Sequence, residues 1–325
     1  MNICIYGAGA IGTIFAVRLA QCGANISVIA RNDSFQAIAE KGVGLDQPDT
    51  PRIFAEVAAA TSLADLPEQD MIISAVKQPA IAEIARLIAP HISASTQIVL
   101  AMNGVPWWFL DNLAGAPDDT ILRTLDPDGN LRQLLPTSQI IGAVIHMSSF
   151  VAEPGVACLR AGNKIILGRP GRKIDMALEA CASLCKQAGF EVETSAFIQK
   201  DIWFKLWGNM TMNPISALTR TTTDRILDDK LVHQFVCDIM TEAKDIGAQL
   251  GIEIDTTPQE RNKLTRKLGA MRTSMLQDIE AGRTLEVDAL LGGVSEIADK
   301  LGYQAHHISI LYGLTRLLAD AQQPH

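Results

Sequence analysis

Asn2-Ile3-Cys4-Ile5-Tyr6-Gly7-Ala8-Gly9-Ala10-Ile11-Gly12 is the stretch that decides the fold. An apolar run long enough for one strand passes straight into a glycine turn, and residues 10–22 then carry helical spacing. G-x-G-x-x-G is weak as a bare pattern. Between a strand and a helix it is the dinucleotide fingerprint. Gly7 permits the tight turn, Gly9 lets the backbone approach a pyrophosphate, and Gly12 lets helix and strand pack closely. The helix start offers free N–H groups and a positive dipole end to a diphosphate. The candidate binding residues are therefore Gly7, Ala8, Gly9, Ala10, Ile11 and Gly12. The plain alternative is a glycine turn with no ligand.

Outward from this turn, residues 25–30 read as a second strand and 34–41 as a helix. Residues 71–76 and 97–102 are apolar runs fit for buried strands, with a helical run at 79–87 between them. This alternation predicts an α/β domain with a Rossmann-type parallel sheet covered on both faces. Residues 104–139 change character. They are rich in Pro, Asp, Gly and Asn, with Trp107-Trp108-Phe109 near the start, and read as a long irregular excursion. Strand signals return at 140–151, 157–161 and 164–167, followed by a helix at 174–187 and a strand at 190–194. From Ile198 onward nearly every segment reads as helix: 231–250, 258–268, 284–301 and 306–318. The change near Ala196 predicts a dinucleotide-binding domain, 1–196, and an all-α C-terminal substrate and catalytic domain, 197–325.

Composition excludes several classes. The chain has 325 residues, 48% hydrophobic and 20% charged, which is ordinary globular usage rather than disorder or a repeat fibre. Charges interrupt every apolar stretch before the ~18 residues a spanning helix needs. With no basic leader at the start, a cytoplasmic location is expected. The net charge of −8 argues against nucleic-acid binding. The six cysteines contain no Cys-x-x-Cys pair, and Cys181 and Cys185 read as buried thiols on one helix face. The histidines show no metal-ligand spacing, so no metal site is expected.

Chemistry-bearing residues sit where an α/β fold places ligands, beyond the carboxyl ends of strands. Arg31 follows the second strand, where a basic residue meets a 2′-phosphate and an acidic one a ribose hydroxyl. That favours NADP (NADPH). Asp33 reads instead as a helix cap. Lys77 and Asn103 close the next two strands and are read as cofactor-binding, against a loop lysine and an Asn-Gly turn as the plain alternatives. In the second domain Lys205, Asn209 and Asn213 are four apart, so a helix places them on one face among Trp203, Phe204, Leu206 and Trp207. One cation and two amides suit a small oxygenated substrate. Ser274 and Glu286 lie further on, in segments that by themselves read as a capped helix and its neighbour.

Together these motifs resemble the ketopantoate reductase (2-dehydropantoate 2-reductase) family, over nearly the whole chain. The resemblance runs from Gly-Ala-Gly-Ala-Ile-Gly through Val76-Lys77 and Asn103-Gly104 to Lys205, Asn209 and Asn213-Pro214, then Ser274-Met-Leu-Gln-Asp and Glu286-Val-Asp. It implies an NADPH-dependent reduction of a small 2-oxo acid, ketopantoate to pantoate in pantothenate biosynthesis. Lys205 is then the catalytic general acid. Glu286 holds the substrate hydroxyl, Ser274 binds the carboxylate region, and Asn209 and Asn213 orient the substrate. Asn103 and Lys77 position the nicotinamide end, and Arg31 takes the 2′-phosphate. The excursion at 104–139 is longer than in compact family members, which leaves a different oxo acid as an alternative. A non-catalytic NADPH sensor is a further one, against which Lys205 and Glu286 argue. No nucleic acid or membrane partner is expected, and a homodimer is left open.

Overall fold

The computed structural model describes residues 1–322. It contains a ten-stranded sheet. The strands are β1 (Asn2–Tyr6), β2 (Asn25–Ile29), β3 (Val43–Asp46), β4 (Ile53–Ala55), β5 (Ala58–Ala60), β6 (Met71–Ser74), β7 (Gln97–Leu100), β8 (Ile140–Glu153), β9 (Val156–Gly168) and β10 (Glu191–Ser195). The helices are α1 (Ala10–Gln21), α2 (Asn32–Lys41), α3 (Ile81–Ile88), α4 (Leu131–Leu134), α5 (Met176–Gln187), α6 (Ile198–Thr219), α7 (Thr223–Asp228), α8 (Lys230–Gln249), α9 (Pro258–Arg266), α10 (Ser274–Glu280), α11 (Gly293–Lys300) and α12 (His306–Asp320).

Strand order is β4-β3-β9-β8-β7-β6-β1-β2-β5, with β10 also paired to β9. From β5 to β8 all pairs are parallel, with β1 registered on both β2 and β6. Direction reverses at β8–β9, where Pro154-Gly155 turns the chain and Gly155 takes a positive φ of 79°. Val, Ile and Leu fill the central strands because both faces are covered, as a parallel sheet requires. Ile3, Ile5, Phe15, Leu19, Ile73, Val99 and Leu167 share one buried core with Cys181 and Cys185. The 43–60 segment, which carries no strong periodic pattern, forms β3, β4 and β5. These are short strands that pair with the edges of stronger ones.

Two compact units emerge. One comprises Met1–Met102 with Asn130–Ile198, and the other Asn103–Gly129 with the chain from Gln199 onward. This corrects a single cut after residue 196. The first part of the excursion belongs with the helices because its aromatic side chains are buried there. Trp107, Trp108 and Phe109 are each 1% exposed or less. Phe109 stacks on Trp203 of α6 at 5.4 Å, and Gln199 Nε2 donates to the Asp111 carbonyl at 2.9 Å. Glu296 of α11 accepts from the backbone N–H groups of Arg123 and Thr124. The aromatic run is therefore core of the helical unit. The helix expected at 284–301 begins later, with a π-turn over Asp288–Gly292 that leads into α11. Among the described residues no helix is long and apolar enough to cross a membrane.

Candidate active site

In the first unit β1 and α1 meet at the glycine turn. Gly7 has φ of +107°, and a Cβ there would lie 2.8 Å from Val76 Cγ1. A Cβ on Gly12 would collide with the Gly7 carbonyl. The chain itself thus demands glycine at both positions. Gly9 is different. Its φ of −75° suits any residue, and the nearest atom to an added Cβ is the Ala75 carbonyl oxygen at 3.9 Å. Its missing side chain leaves open space at the start of α1, where no side chain caps the helix. Open space, uncapped N–H groups and a positive dipole end fit a diphosphate.

A cavity of about 250 Å³ continues from this turn, lined by Tyr6, Gly7, Ala8, Arg31, Ser34 and Glu83 among others. Arg31 follows β2, and the next residue, Asn32, has a positive φ of 51°, a conformation asparagine tolerates. Arg31 Nη2 lies 3.1 Å from Glu83 Oε1, both side chains being 63% exposed. Tyr6 faces the same charges. Burial raises its phenol above the ordinary value, Arg31 opposes that rise, and Glu83 adds to it. Lys77 lies just beyond β6, before the 3₁₀ turn Gln78–Ala80, half-buried and next to Val76.

In the second unit α6 is oriented by two tryptophans. Trp203 Nε1 donates to the Ala243 carbonyl at 3.1 Å, and Trp207 Nε1 to the Met240 carbonyl at 2.6 Å. Gly247 on α8 leaves room for the Trp203 indole, which a Cβ would meet at 2.5 Å. With that face buried, helical spacing turns Lys205, Asn209 and Asn213 away from it. Pro214 has no N–H, so it cannot close the helix bond to the Met210 carbonyl.

Lys205 Nζ donates to Asn103 Oδ1 at 2.8 Å. Burial lowers the Lys205 ammonium to about 8, while the negative charge of Glu286 pulls it back up. Lys205, Asn103 and Glu286 therefore form one cluster. Asn103, read from sequence as a cofactor residue, is brought to the lysine. Asn213 Nδ2 reaches Ser274 Oγ at 3.4 Å, a long hydrogen bond that joins α6 to the first residue of α10. Asn209 is half-buried on the intervening turn.

Sequence reasoning missed the support beneath Asn103. Gly104 has φ of +80°, and its Cα lies so close to Ala289 that a Cβ would collide with that carbonyl. Val105 N–H donates to the same Ala289 oxygen at 2.8 Å. Ala289 belongs to the π-turn, a feature often found at functional sites. The only sequence signal for it is the pair Gly292-Gly293 inside an apolar helical run. Glu83 was missed as well, because one acid in the first turn of an amphipathic helix looks like an ordinary solvated residue.

A mostly parallel sheet with a glycine turn, followed by a helical unit that holds a partly buried lysine beside a carboxylate, defines a Rossmann-type nicotinamide-dependent reductase. Family models agree. The one described as "Ketopantoate reductase PanE/ApbA" matches residues 3–172, and "Ketopantoate reductase PanE/ApbA C terminal" matches 197–319. A 2-dehydropantoate 2-reductase of Mesorhizobium japonicum is 34% identical over 320 residues, 98% of each chain. A candidate ketopantoate reductase structure from Ralstonia solanacearum MolK2 superposes with a TM-score of 0.93 at 44% identity, over 98% of each chain. D-Mandelate dehydrogenase, solved with NADH and anilino(oxo)acetate, shares the fold with a TM-score of 0.84 at 22% identity, over 99% of each chain. The chain belongs to the ketopantoate reductase family.

Proposed function

We propose that this chain reduces a small 2-oxo acid to the 2-hydroxy acid with NADPH, and that the acid is ketopantoate, its product pantoate entering pantothenate biosynthesis. The observation that carries this reading is the Lys205 ammonium, held by Asn103, near the charge of Glu286 and lowered to about 8. A nicotinamide, when bound, would supply the hydride for the ketone carbon. The chain's own residues manage the charge and the proton. Negative charge develops on the carbonyl oxygen, and a positioned ammonium both stabilises and protonates it. With a pKa of about 8, Lys205 is mostly charged at neutral pH yet gives up its proton more readily than an ordinary lysine. Asn103 fixes the direction of Nζ, and Glu286 helps keep the ammonium charged.

Glu286 also offers an acceptor for the 4-hydroxyl of ketopantoate. Ser274 binds the carboxylate region, and Asn209 and Asn213 orient the substrate. In the first unit Arg31 favours a 2′-phosphate, and Lys77 steadies the cofactor. The names of the relatives support the choice of ketopantoate. The test is a panel of small 2-oxo acids with NADPH, followed by its absorbance. Ketopantoate should give the highest kcat/KM. Turnover of another oxo acid without ketopantoate overturns the substrate, and tight NADPH binding without any turnover overturns the enzyme.

A further inference from the structure

Where a dinucleotide fold takes a free adenosine ribose, an acid after the second strand accepts the 2′-hydroxyl. Here that place is held by Arg31, and the nearby Asp33 lines a different cavity, with Glu40 and Arg52. A carboxylate nevertheless lies beside Arg31. Glu83, in the first turn of α3, sits 3.1 Å from Arg31 and lines the same cavity as Gly7, Tyr6 and Ser34. The pair is 63% exposed on both sides. Such pairs contribute little to stability, so this one is readily exchanged.

From this geometry we infer that Glu83 is the specificity-determining residue that holds down the preference for NADPH, making the pocket serve both dinucleotides. The inference rests on the cofactor reading above. With NADH, Glu83 accepts the ribose hydroxyl that the second strand leaves without an acid. With NADPH, the 2′-phosphate brings roughly −1.5 to −2 charge and three acceptor oxygens, and it must take Arg31 from Glu83 and tolerate the carboxylate beside it. One residue thus aids one cofactor and opposes the other.

The wild type, Glu83→Gln and Glu83→Lys are titrated with NADPH and with NADH, following protein fluorescence, so no turnover is needed. Removing the carboxylate should tighten NADPH and weaken NADH, each by about 3- to 10-fold, as expected for charged contacts at an exposed site. The ratio of the two affinities should rise further toward NADPH in Glu83→Lys. If Glu83 serves only the helix dipole of α3, both variants lose thermal stability while the ratio stays at the wild-type value, and the inference falls. If the wild type binds neither dinucleotide, it is the cofactor reading that fails.

Discussion

Lys205 meets two opposed demands, and both can be read in its titration. Burial favours the neutral amine, the Glu286 charge favours the ammonium, and the balance is about 8. A general acid must be protonated, so reduction should run at full rate below that value. Between pH 6 and 10 kcat/KM should fall about tenfold per unit once pH passes ~8. A flat profile would remove Lys205 from the proton transfer. Lys205→Ala should lower kcat by about 10²–10⁴-fold, with dinucleotide affinity nearly native, as judged by the same fluorescence titration. Glu286 tests the other side of the balance. Glu286→Gln keeps the shape but removes the charge that raises the lysine, so the descending limb should move to lower pH. The substitution should also lower kcat/KM for ketopantoate more than for 3,3-dimethyl-2-oxobutanoate, which lacks the 4-hydroxyl. Equal losses on both substrates would show that Glu286 acts only through Lys205.

Among the elements, the π-turn at Asp288–Gly292 ties the end of one segment to the acid on another. Its Ala289 carbonyl accepts from Val105, and Gly104 lies against it at a positive φ. Gly104→Ala forces a Cβ into that carbonyl and should shift Asn103 from the lysine. The expected cost is about 1–3 kcal/mol in urea unfolding, together with reduced kcat. A variant with native stability and native kcat would mean that Asn103 is held by something else. This support was hidden in the sequence, because Asn-Gly is a common turn and a π-turn has no distinctive composition. The α1 turn was legible for the opposite reason, since Gly7 is demanded by its own positive φ and Gly12 by the Gly7 carbonyl five residues earlier. β3, β4 and β5 were illegible. Ile53–Ala55 and Ala58–Ala60 are strands only because other strands offer them an edge, and alanine has little strand preference of its own. Trp107–Phe109 could be seen as an apolar cluster, but nothing local reveals that its partner is Trp203 on α6.

For the molecule as a whole, the site carries a cost to stability that pH can expose. Lys205 drops from the ordinary 10.5 to about 8 on folding. The unfolded chain therefore holds more protons between those two values, and stability rises with pH across that window. The penalty is complete below the folded value and absent above the unfolded one. At 1.36 kcal/mol per pKa unit it amounts to roughly 3 kcal/mol, an upper figure because the side chain is only partly buried. Many other groups titrate in the same range, so the measurement must be a difference. Lys205→Met carries every other titration in common with the wild type, and any lost contact with Asn103 adds only a constant. Urea unfolding of both proteins at neutral pH and near pH 10.5 should show the wild type gaining up to about 3 kcal/mol on the variant as pH rises. A difference independent of pH would mean that the ammonium is not desolvated, and would withdraw the physical reason for giving Lys205 the proton.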